Sequence, residues 1–165
     1  MRASGRPGAI IASVVLAAMT CSCSDASAPE NTQAASSNAN CMPSIREIAQ
    51  GFKALFYDEG RVREAYETYV AADYIQHNPM AQNGREAAIA FLEPIYAANP
   101  DHRITVHRMI VEDPYIVVHL HGQSSPEDPG AAAVDILRVE DCRIVEHWDV
   151  TQPVPESSVN GNAMF

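Results

Sequence analysis

The first half of the chain carries apolar residues at helical spacing. Residues 44–47 (Ser-Ile-Arg-Glu) form a capping box, and apolar residues follow it at intervals of three and four, which predicts a first helix. Two further helices are predicted at 62–70 and from about 84 to 96, where Pro94 kinks or shortens the last one. Residues 73–79 interrupt the pattern between these helices.

Beyond residue 100 the apolar period changes from 3.6 to 2, which indicates β-strands. Strands are predicted at 103–112, 115–123, 131–140 and 143–151, and the two-residue turn Asp141-Cys142 joins the last two. Helices followed by a consecutive antiparallel meander are the order of an α+β fold. We therefore predict N-terminal helices packed on one face of a curved antiparallel sheet.

The third predicted strand contains a carboxylate, Asp135, between apolar neighbours. Counting back from the two-residue turn pairs Glu140 with Arg143 and Asp135 with Trp148. A carboxylate in an apolar strand is costly unless it has a partner or a chemical task. A structural salt bridge, with Arg138 or Arg143, is the alternative to a functional role.

Histidines accompany this carboxylate. His119 and His121 share one face of the second strand, and the loop between helices brings His77. In acid/base chemistry, Asp135 would remove a proton beside a carbonyl group while a histidine donates a hydrogen bond to the enolate oxygen. A metal site of His119, His121 and a third ligand is a minor alternative. The sequence has none of the motifs for nucleophilic acyl transfer, NTP hydrolysis or dinucleotide binding.

The composition is that of one globular domain. The chain has 165 residues, of which 47% are hydrophobic and 19% charged, so disorder throughout is excluded. The formal net charge is −10, which repels phosphate backbones and argues against nucleic-acid binding.

The N-terminus has the pattern of an export signal. Residues 1–23 contain two arginines and then a short apolar run that ends at Cys21 and Cys23, one of which is the predicted lipidation site of a bacterial lipoprotein. A plain secreted protein is the alternative. The Ser-, Ala- and Asn-rich residues 24–40 are predicted to be a flexible tether to a domain at 41–165. We therefore expect a periplasmic or envelope-anchored protein.

Two cysteines of the domain, Cys41 and Cys142, lie about a hundred residues apart. Export would place them in an oxidising compartment, where we predict a disulfide between them. A zinc site would need more ligands, and neither cysteine has a CxxC partner.

Three segments carry a family resemblance. They are 74–79 (Tyr-Ile-Gln-His-Asn-Pro), 118–121 (Val-His-Leu-His) and, most specifically, 134–150 (Val-Asp-Ile-Leu-Arg-Val-Glu-Asp-Cys-Arg-Ile-Val-Glu-His-Trp-Asp-Val). Together they resemble the SnoaL-like polyketide cyclases of the nuclear transport factor 2-like superfamily. The similarity extends from about residue 44 to the C-terminus.

The resemblance implies a cone-shaped half-barrel with a central apolar pocket. Cyclases of this family close a ring by aldol condensation without a cofactor, and the matching acid/base residue is Asp135 with His121 as its partner. The predicted pocket residues are His77, His119, Trp148 and Tyr74. The Asp141-Cys142 turn departs from the family's usual Asp-Gly, which suggests that the bond to Cys41 holds Cys142 in the positive-φ position.

The superfamily uses one cone for cyclases, isomerases, hydrolases and non-catalytic binding modules, so fold does not settle function. One hypothesis is a cofactor-free enzyme that acts on a small apolar carbonyl compound. The other is an exported protein that binds a small apolar ligand in the same cavity without turnover. A homodimer remains open from the sequence.

Overall fold

The structure, a computed structural model, describes residues 37–165. The predicted export signal, Cys21, Cys23 and the first part of the predicted tether lie outside the described residues. Between residues 37 and 165, no helix has the length and apolar character needed to cross a membrane.

Within residues 37–165, three α-helices form at the positions that the apolar pattern predicts. Helix α1 spans Ile45–Phe52 and continues as a π-helical segment, Lys53–Asp58. Helices α2 and α3 span Val62–Tyr69 and Arg85–Ala98. The predicted capping box is confirmed, because the Ser44 hydroxyl accepts from the Glu47 N–H while the Glu47 carboxylate accepts from the Ser44 N–H.

In the described part of the chain, five strands form one mixed sheet in the order β1-β5-β4-β3-β2. Strands β2 (Arg103–Glu112), β3 (Tyr115–Gln123), β4 (Ala131–Glu140) and β5 (Arg143–Pro153) are the predicted antiparallel meander. The sequence did not predict β1 (Val70–Gln76), which pairs parallel to β5. Because only two of its residues, at positions 70 and 74, are buried, β1 lacks the alternation that identified the other strands.

A β-bulge in β5 changes the predicted pairing of the last two strands. Next to the turn, Glu140 faces Arg143 and Val139 faces Ile144, as predicted. The register then shifts, because Val145 has no opposite residue. The predicted Asp135–Trp148 pairing is therefore wrong by one residue.

The core lies between the helices and one face of the sheet. Helical residues such as Ile48, Phe52 and Ile89 pack against strand residues such as Ile116 and Val118, all nearly or fully buried. This arrangement confirms the predicted α+β class, with helices covering one face of a curved sheet. Among the residues that the structure describes, no helix covers the opposite face of the sheet, which we call the outer face.

The predicted disulfide between Cys41 and Cys142 is present in the structure, with a Cα–Cα distance of 5.3 Å. It ties the segment before α1 to the β4–β5 turn. Both turn residues have positive φ, 49° at Asp141 and 62° at Cys142, as a tight hairpin turn requires. Asn38 adds to this connection, because its amide donates to the Val139 carbonyl at 2.7 Å.

Candidate active site

A cavity of about 220 Å³ lies between the helices and the inner face of the sheet. This volume is below the ~300–1,000 Å³ typical of sites for drug-sized ligands, so the cavity suits a small molecule. Most of its wall is apolar or aromatic, and the contributing residues are Phe52, Phe56, Tyr66, Ala81, Ala88, Phe91, Leu92, Ile95, Tyr96, Ile104, Leu120 and Leu137. Its polar residues are Tyr57, Tyr74, Gln76, Asn78, His102, Asp135, His147 and Asp149.

Helix α3 supplies the part of the cavity wall that also meets solvent. Phe91 and Ile95 line the cavity and are 37% and 39% exposed. Large apolar side chains that are both exposed and part of a cavity wall indicate where a ligand could pass.

Asp135 projects from the middle of the sheet into this cavity. It pairs with Val118 on β3 and with Asp149 on β5. Since Val118 is buried on the inner face, Asp135 lies on that face too. Only 14% of its side chain is exposed, so a charge here depends on nearby donors.

Tyr57 provides one such donor. It lies in the π-helical segment, and its hydroxyl donates to Asp135 Oδ2 at 2.7 Å. Burial raises the pKa of Tyr57 well above its ordinary value, and the charge and hydrogen bond of Asp135 raise it further. Tyr57 therefore remains a neutral donor over the whole physiological pH range.

His147 provides the second partner of Asp135. Its Nε2 lies 3.6 Å from Asp135 Oδ1, which is an electrostatic contact and longer than a hydrogen bond. Its Nδ1 lies 2.8 Å from Gln76 Oε1, and the same oxygen accepts from the Asn78 N–H at 2.9 Å. Because an amide N–H can only donate, the atom that it contacts on Gln76 is the carbonyl oxygen, and Nδ1 must carry a hydrogen.

The hydrogen bond from Nδ1 to Gln76 orients the imidazole ring so that Nε2 of His147 faces the Asp135 carboxylate. With Nε2 3.6 Å from Asp135 Oδ1, the imidazole and the carboxylate form a pair of polar groups that one substrate could contact together. The Gln76–His147–Asp135–Tyr57 chain of polar contacts fixes the orientation of that pair.

Tyr74 lies behind this chain and is 2% exposed. Its hydroxyl hydrogen-bonds to the Tyr66 hydroxyl. Burial raises the pKa of Tyr74 far above its ordinary value, and the charge and hydrogen bond of Tyr66 raise it further. Tyr74 is one of the residues that line the cavity.

Asp149 completes the polar end of the cavity. Asn78 Nδ2 donates to Asp149 Oδ2 at 2.6 Å. One ligand atom each from Asp135, His147 and Asp149 lies within 4.8 Å of the others, so these three residues could hold a metal ion. Imidazole and carboxylate ligands together suit zinc, iron or manganese.

The structure does not bring the predicted partner His121 to Asp135. His121 pairs with Ala132 and His119 with Val134, so both histidines project from the outer face, on the other side of the sheet from Asp135. Their ring nitrogens have other partners: Arg108 donates to His119 Nδ1, and His121 Nε2 donates to the Pro129 carbonyl. The ring of Phe165 stacks on both histidines.

The minor alternative, a metal site at His119 and His121, is likewise not supported. Among residues 37–165, no group of three potential ligand atoms includes either histidine. The error has a simple cause. Alternation correctly separated His119 and His121 from Val118 and Leu120, but the register places Asp135 opposite Val118, on the apolar side.

His77 and Trp148 also lie on the outer face, contrary to the prediction that they line the cavity. Their rings stack at 4.7 Å, and His77 Nε2 lies 2.8 Å from Glu146 Oε1. Trp148 faces outward because the bulge at Val145 reverses the sides of the residues that follow it.

Sequence reasoning missed His147 for the same reason, although a signal was available. Without a bulge, Glu146 lies opposite Leu137. With one extra residue in β5, Glu146 lies opposite Arg138, and the structure shows this pair with Arg138 Nε 2.7 Å from Glu146 Oε2. A cross-strand pair of opposite charges is favourable, so charge matching predicts the bulge and with it the inward direction of His147.

The helices packed on one face of a curved sheet, with a cavity between them, form an α+β cone with the nuclear transport factor 2-like fold. The chain belongs to the SnoaL-like domain family, whose model matches residues 49–147. No curated protein matches the sequence.

Solved structures share this fold at low sequence identity. TsrD from Streptomyces laurentii is 21% identical, with a TM-score of 0.52 over 66% of this chain and 87% of its own. A candidate polyketide cyclase from Bacillus cereus ATCC 10987 is 19% identical, with a TM-score of 0.56 over 68% and 78%. A candidate isomerase of the SnoaL-like family from Agrobacterium tumefaciens strain C58 is 18% identical, with a TM-score of 0.53 over 65% and 96%.

Proposed function

We propose that this protein is an exported SnoaL-like enzyme that performs cofactor-free acid/base chemistry, of aldol or isomerase type, on a small apolar carbonyl compound. The observation that carries the proposal is the position of Asp135. Its carboxylate stands at the polar end of an apolar cavity, 2.7 Å from the Tyr57 hydroxyl and 3.6 Å from His147 Nε2.

In the proposed reaction Asp135 is the base. It takes a proton from the carbon beside the carbonyl group, and the electron pair of the broken C–H bond forms the carbon–carbon double bond of an enolate. The carbonyl π electrons move to oxygen, where the imidazolium form of His147, with a hydrogen on both Nδ1 and Nε2, donates a hydrogen bond from Nε2. Where the substrate is unsaturated, return of the proton to the γ-carbon of the conjugated dienolate gives an isomer. Alternatively, attack of the enolate carbon on a second carbonyl gives an alkoxide, which takes the proton back from Asp135 to give the aldol product.

This assignment replaces His121 with His147 and keeps Asp135 in the proposed role. Gln76 contributes by holding Nδ1 of His147, which leaves Nε2 for the substrate oxygen. The cavity of about 220 Å³ has room for about seven waters at ~30 Å³ each in the liquid, so it favours a small substrate.

Exchange of α-hydrogens tests the proposal without knowledge of the natural substrate. The protein is incubated with acetophenone in D₂O, and loss of the methyl signal is followed by proton NMR. We expect faster exchange than in buffer, and a return to the buffer rate with Asp135→Asn, which keeps the shape of the side chain. If the unchanged protein does not accelerate the exchange of acetophenone, the proposed enzyme activity is wrong.

The second candidate function is a non-catalytic, envelope-anchored protein that binds a small ligand in the same cavity. The apolar wall of the cavity supports this binding function as well as it supports an enzyme. Binding of acetophenone that persists in Asp135→Asn, together with no exchange in the unchanged protein, would favour this function.

A further inference from the structure

Tyr96 carries a hydroxyl that nothing in the described chain satisfies. Its Oη is buried and has no hydrogen-bond partner among residues 37–165. Buried polar groups in native proteins nearly always have a partner, so an unpartnered one at a cavity wall points to a group that binds there.

The surroundings of Tyr96 hold its ring in place. The ring packs 5.9 Å from Phe56 and edge-on to His102, with 4.6 Å between the ring centroids. On another side lies Gly60, where an added Cβ would come within 3.2 Å of the ring. The hydroxyl therefore has a fixed position and cannot turn toward a new partner without displacing these neighbours.

Tyr96 and the residues that hold His147 and Asp149 come from opposite edges of the fold. It is near the end of α3, and His102 immediately precedes β2, which is one edge of the sheet. Gln76 and Asn78 are at the end of β1, the opposite edge, and hold His147 and Asp149 from there. The cavity thus has two sets of polar groups, with the apolar Phe56 and Leu120 among the residues of its wall.

The second set of polar groups, Tyr96 and His102, suits an acceptor atom on the ligand. Burial raises the pKa of Tyr96, and the charge of Asp135 adds to the effect, so the phenol keeps its proton. Burial lowers the pKa of His102, which favours its neutral form. Tyr96 therefore offers a hydrogen, and no charge from His102 accompanies it.

We propose that Tyr96 Oη donates a hydrogen bond to a second oxygen of the substrate, which makes the substrate a small ketone bearing a further carbonyl, hydroxyl or ether oxygen. This inference rests on the proposed function, because it assumes that the first carbonyl lies at Asp135 and His147. Tyr96 is then the residue that selects oxygenated ketones over purely hydrocarbon ones.

Two pairs of ketones, each with the same carbon skeleton, test the selection. In one pair 1,4-diacetylbenzene is compared with 4-ethylacetophenone, and in the other 1,3-diacetylbenzene with 3-ethylacetophenone. Each pair differs in one oxygen, and the meta and para isomers sample two distances between the oxygens. Dissociation constants are measured by ligand-observed NMR for the unchanged chain, for Tyr96→Phe and for Tyr69→Phe. Tyr69 is a matched control because it is partly buried against the core and is outside the cavity wall.

In at least one pair, we expect the diketone preference of the unchanged chain to fall about two- to tenfold in Tyr96→Phe, the range of one neutral hydrogen bond. Tyr69→Phe should keep the preference. An equal preference in Tyr96→Phe and in the unchanged chain, for both pairs, overturns the inference. If α-hydrogen exchange of these ketones persists in that case, the proposed function survives without it. If the unchanged chain neither binds nor exchanges any of the four ketones, both fail.

A second measurement excludes a structural role for the hydroxyl. Without ligand, Tyr96→Phe removes a group that has no protein partner, so its melting temperature should equal or exceed that of the unchanged chain. A melting temperature lowered by several degrees would show that the hydroxyl is bonded in the free protein, and would overturn the inference.

Discussion

Asp135 lies directly opposite Asp149 in the β4–β5 ladder, and one residue of offset separates it from Trp148. The bulge at Val145 produces this offset. Because side chains alternate along a strand, the same bulge directs His147 and Asp149 into the cavity and Glu146 and Trp148 to the outer face. The composition of the candidate active site therefore depends on a single extra residue in β5.

The first prediction separates the two histidines that could serve Asp135. His147→Gln should slow α-hydrogen exchange of acetophenone by about 100-fold or more, the range for loss of a general acid or base. His121→Gln should change the rate less than twofold, because His121 is on the outer face. Proton NMR in D₂O measures both rates. A large loss in His121→Gln with little effect of His147→Gln would restore the assignment expected from the family resemblance.

Much of this fold could be predicted because its signals are local. The capping box at residues 44–47 marks the start of α1, and the change of apolar period near residue 100 marks the start of the sheet. Strand β1 escaped prediction because its partner β5 is about 75 residues away and only two of its residues are buried.

The candidate site could be predicted only in part. Asp135 was identified because a carboxylate between apolar neighbours is unusual in any register. His147 was not, since its direction depends on the bulge, and a bulge alters which face a residue occupies without altering local composition. His119 and His121 were predicted to lie near Asp135 because they share one face of a strand, yet the strand register places both on the outer face.

The second prediction concerns the hydrogen bond from Tyr57 to Asp135. Tyr57→Phe should lower the free energy of unfolding by about 1–3 kcal/mol, because a mostly buried carboxylate loses a donor. Urea denaturation measures the change. Tyr115→Phe is the control, since Tyr115 is 42% exposed and should change stability by less than ~0.5 kcal/mol.

A double-mutant cycle isolates this bond. In an Asp135→Asn background the same Tyr57→Phe change should cost less, because the neutral amide is a weaker acceptor than the carboxylate. Equal losses in both backgrounds would show that the bond between the two side chains contributes nothing to stability.

The third prediction addresses metal at Asp135, His147 and Asp149. For the proposed proton transfer, treatment with EDTA should leave α-hydrogen exchange unchanged, while added zinc should inhibit it by occupying the base and its partner. Asp149→Asn should weaken the inhibition, because one of the three ligands is replaced. Exchange that disappears with EDTA and returns with zinc or iron would instead assign the chemistry to a metal centre.

The fourth prediction concerns the disulfide. Replacing Cys41 and Cys142 by serine removes a bridge between residues 101 positions apart, which should cost about 4–5 kcal/mol by the chain-entropy model. The turn allows a finer comparison. Cys142 has a φ of 62°, so Cys41→Ser with Cys142→Gly should be more stable than the double serine variant by about 1 kcal/mol. Urea denaturation compares the variants, and two freely alkylated thiols in the folded, unreduced protein would refute the bridge itself.

The last prediction is a pH dependence that originates on the outer face. Glu146 accepts from Arg138 Nε at 2.7 Å and lies 2.8 Å from His77 Nε2. Burial alone would raise its pKa, but the hydrogen bonds with His77 and Arg138 outweigh burial, and the pKa of Glu146 lies below its ordinary value of 4.5. In the folded protein this carboxyl thus binds a proton less readily than in the unfolded chain. Its contribution to stability is fully present above pH ~4.5 and is lost as the pH falls through the folded-state pKa.

We expect the free energy of unfolding of Glu146→Gln to be about 1 kcal/mol lower than that of the unchanged protein at pH 7. This gap between the two free energies should narrow progressively below pH 4.5. Urea denaturation at pH 7, 5, 4 and 3 measures the gap. Glu140→Gln is the matched control, because Glu140 also contacts Arg138 but is 53% exposed, so its gap should stay small at every pH. A Glu146→Gln gap that remains constant down to pH 3 would mean that the ion pairs of Glu146 do not stabilise the fold.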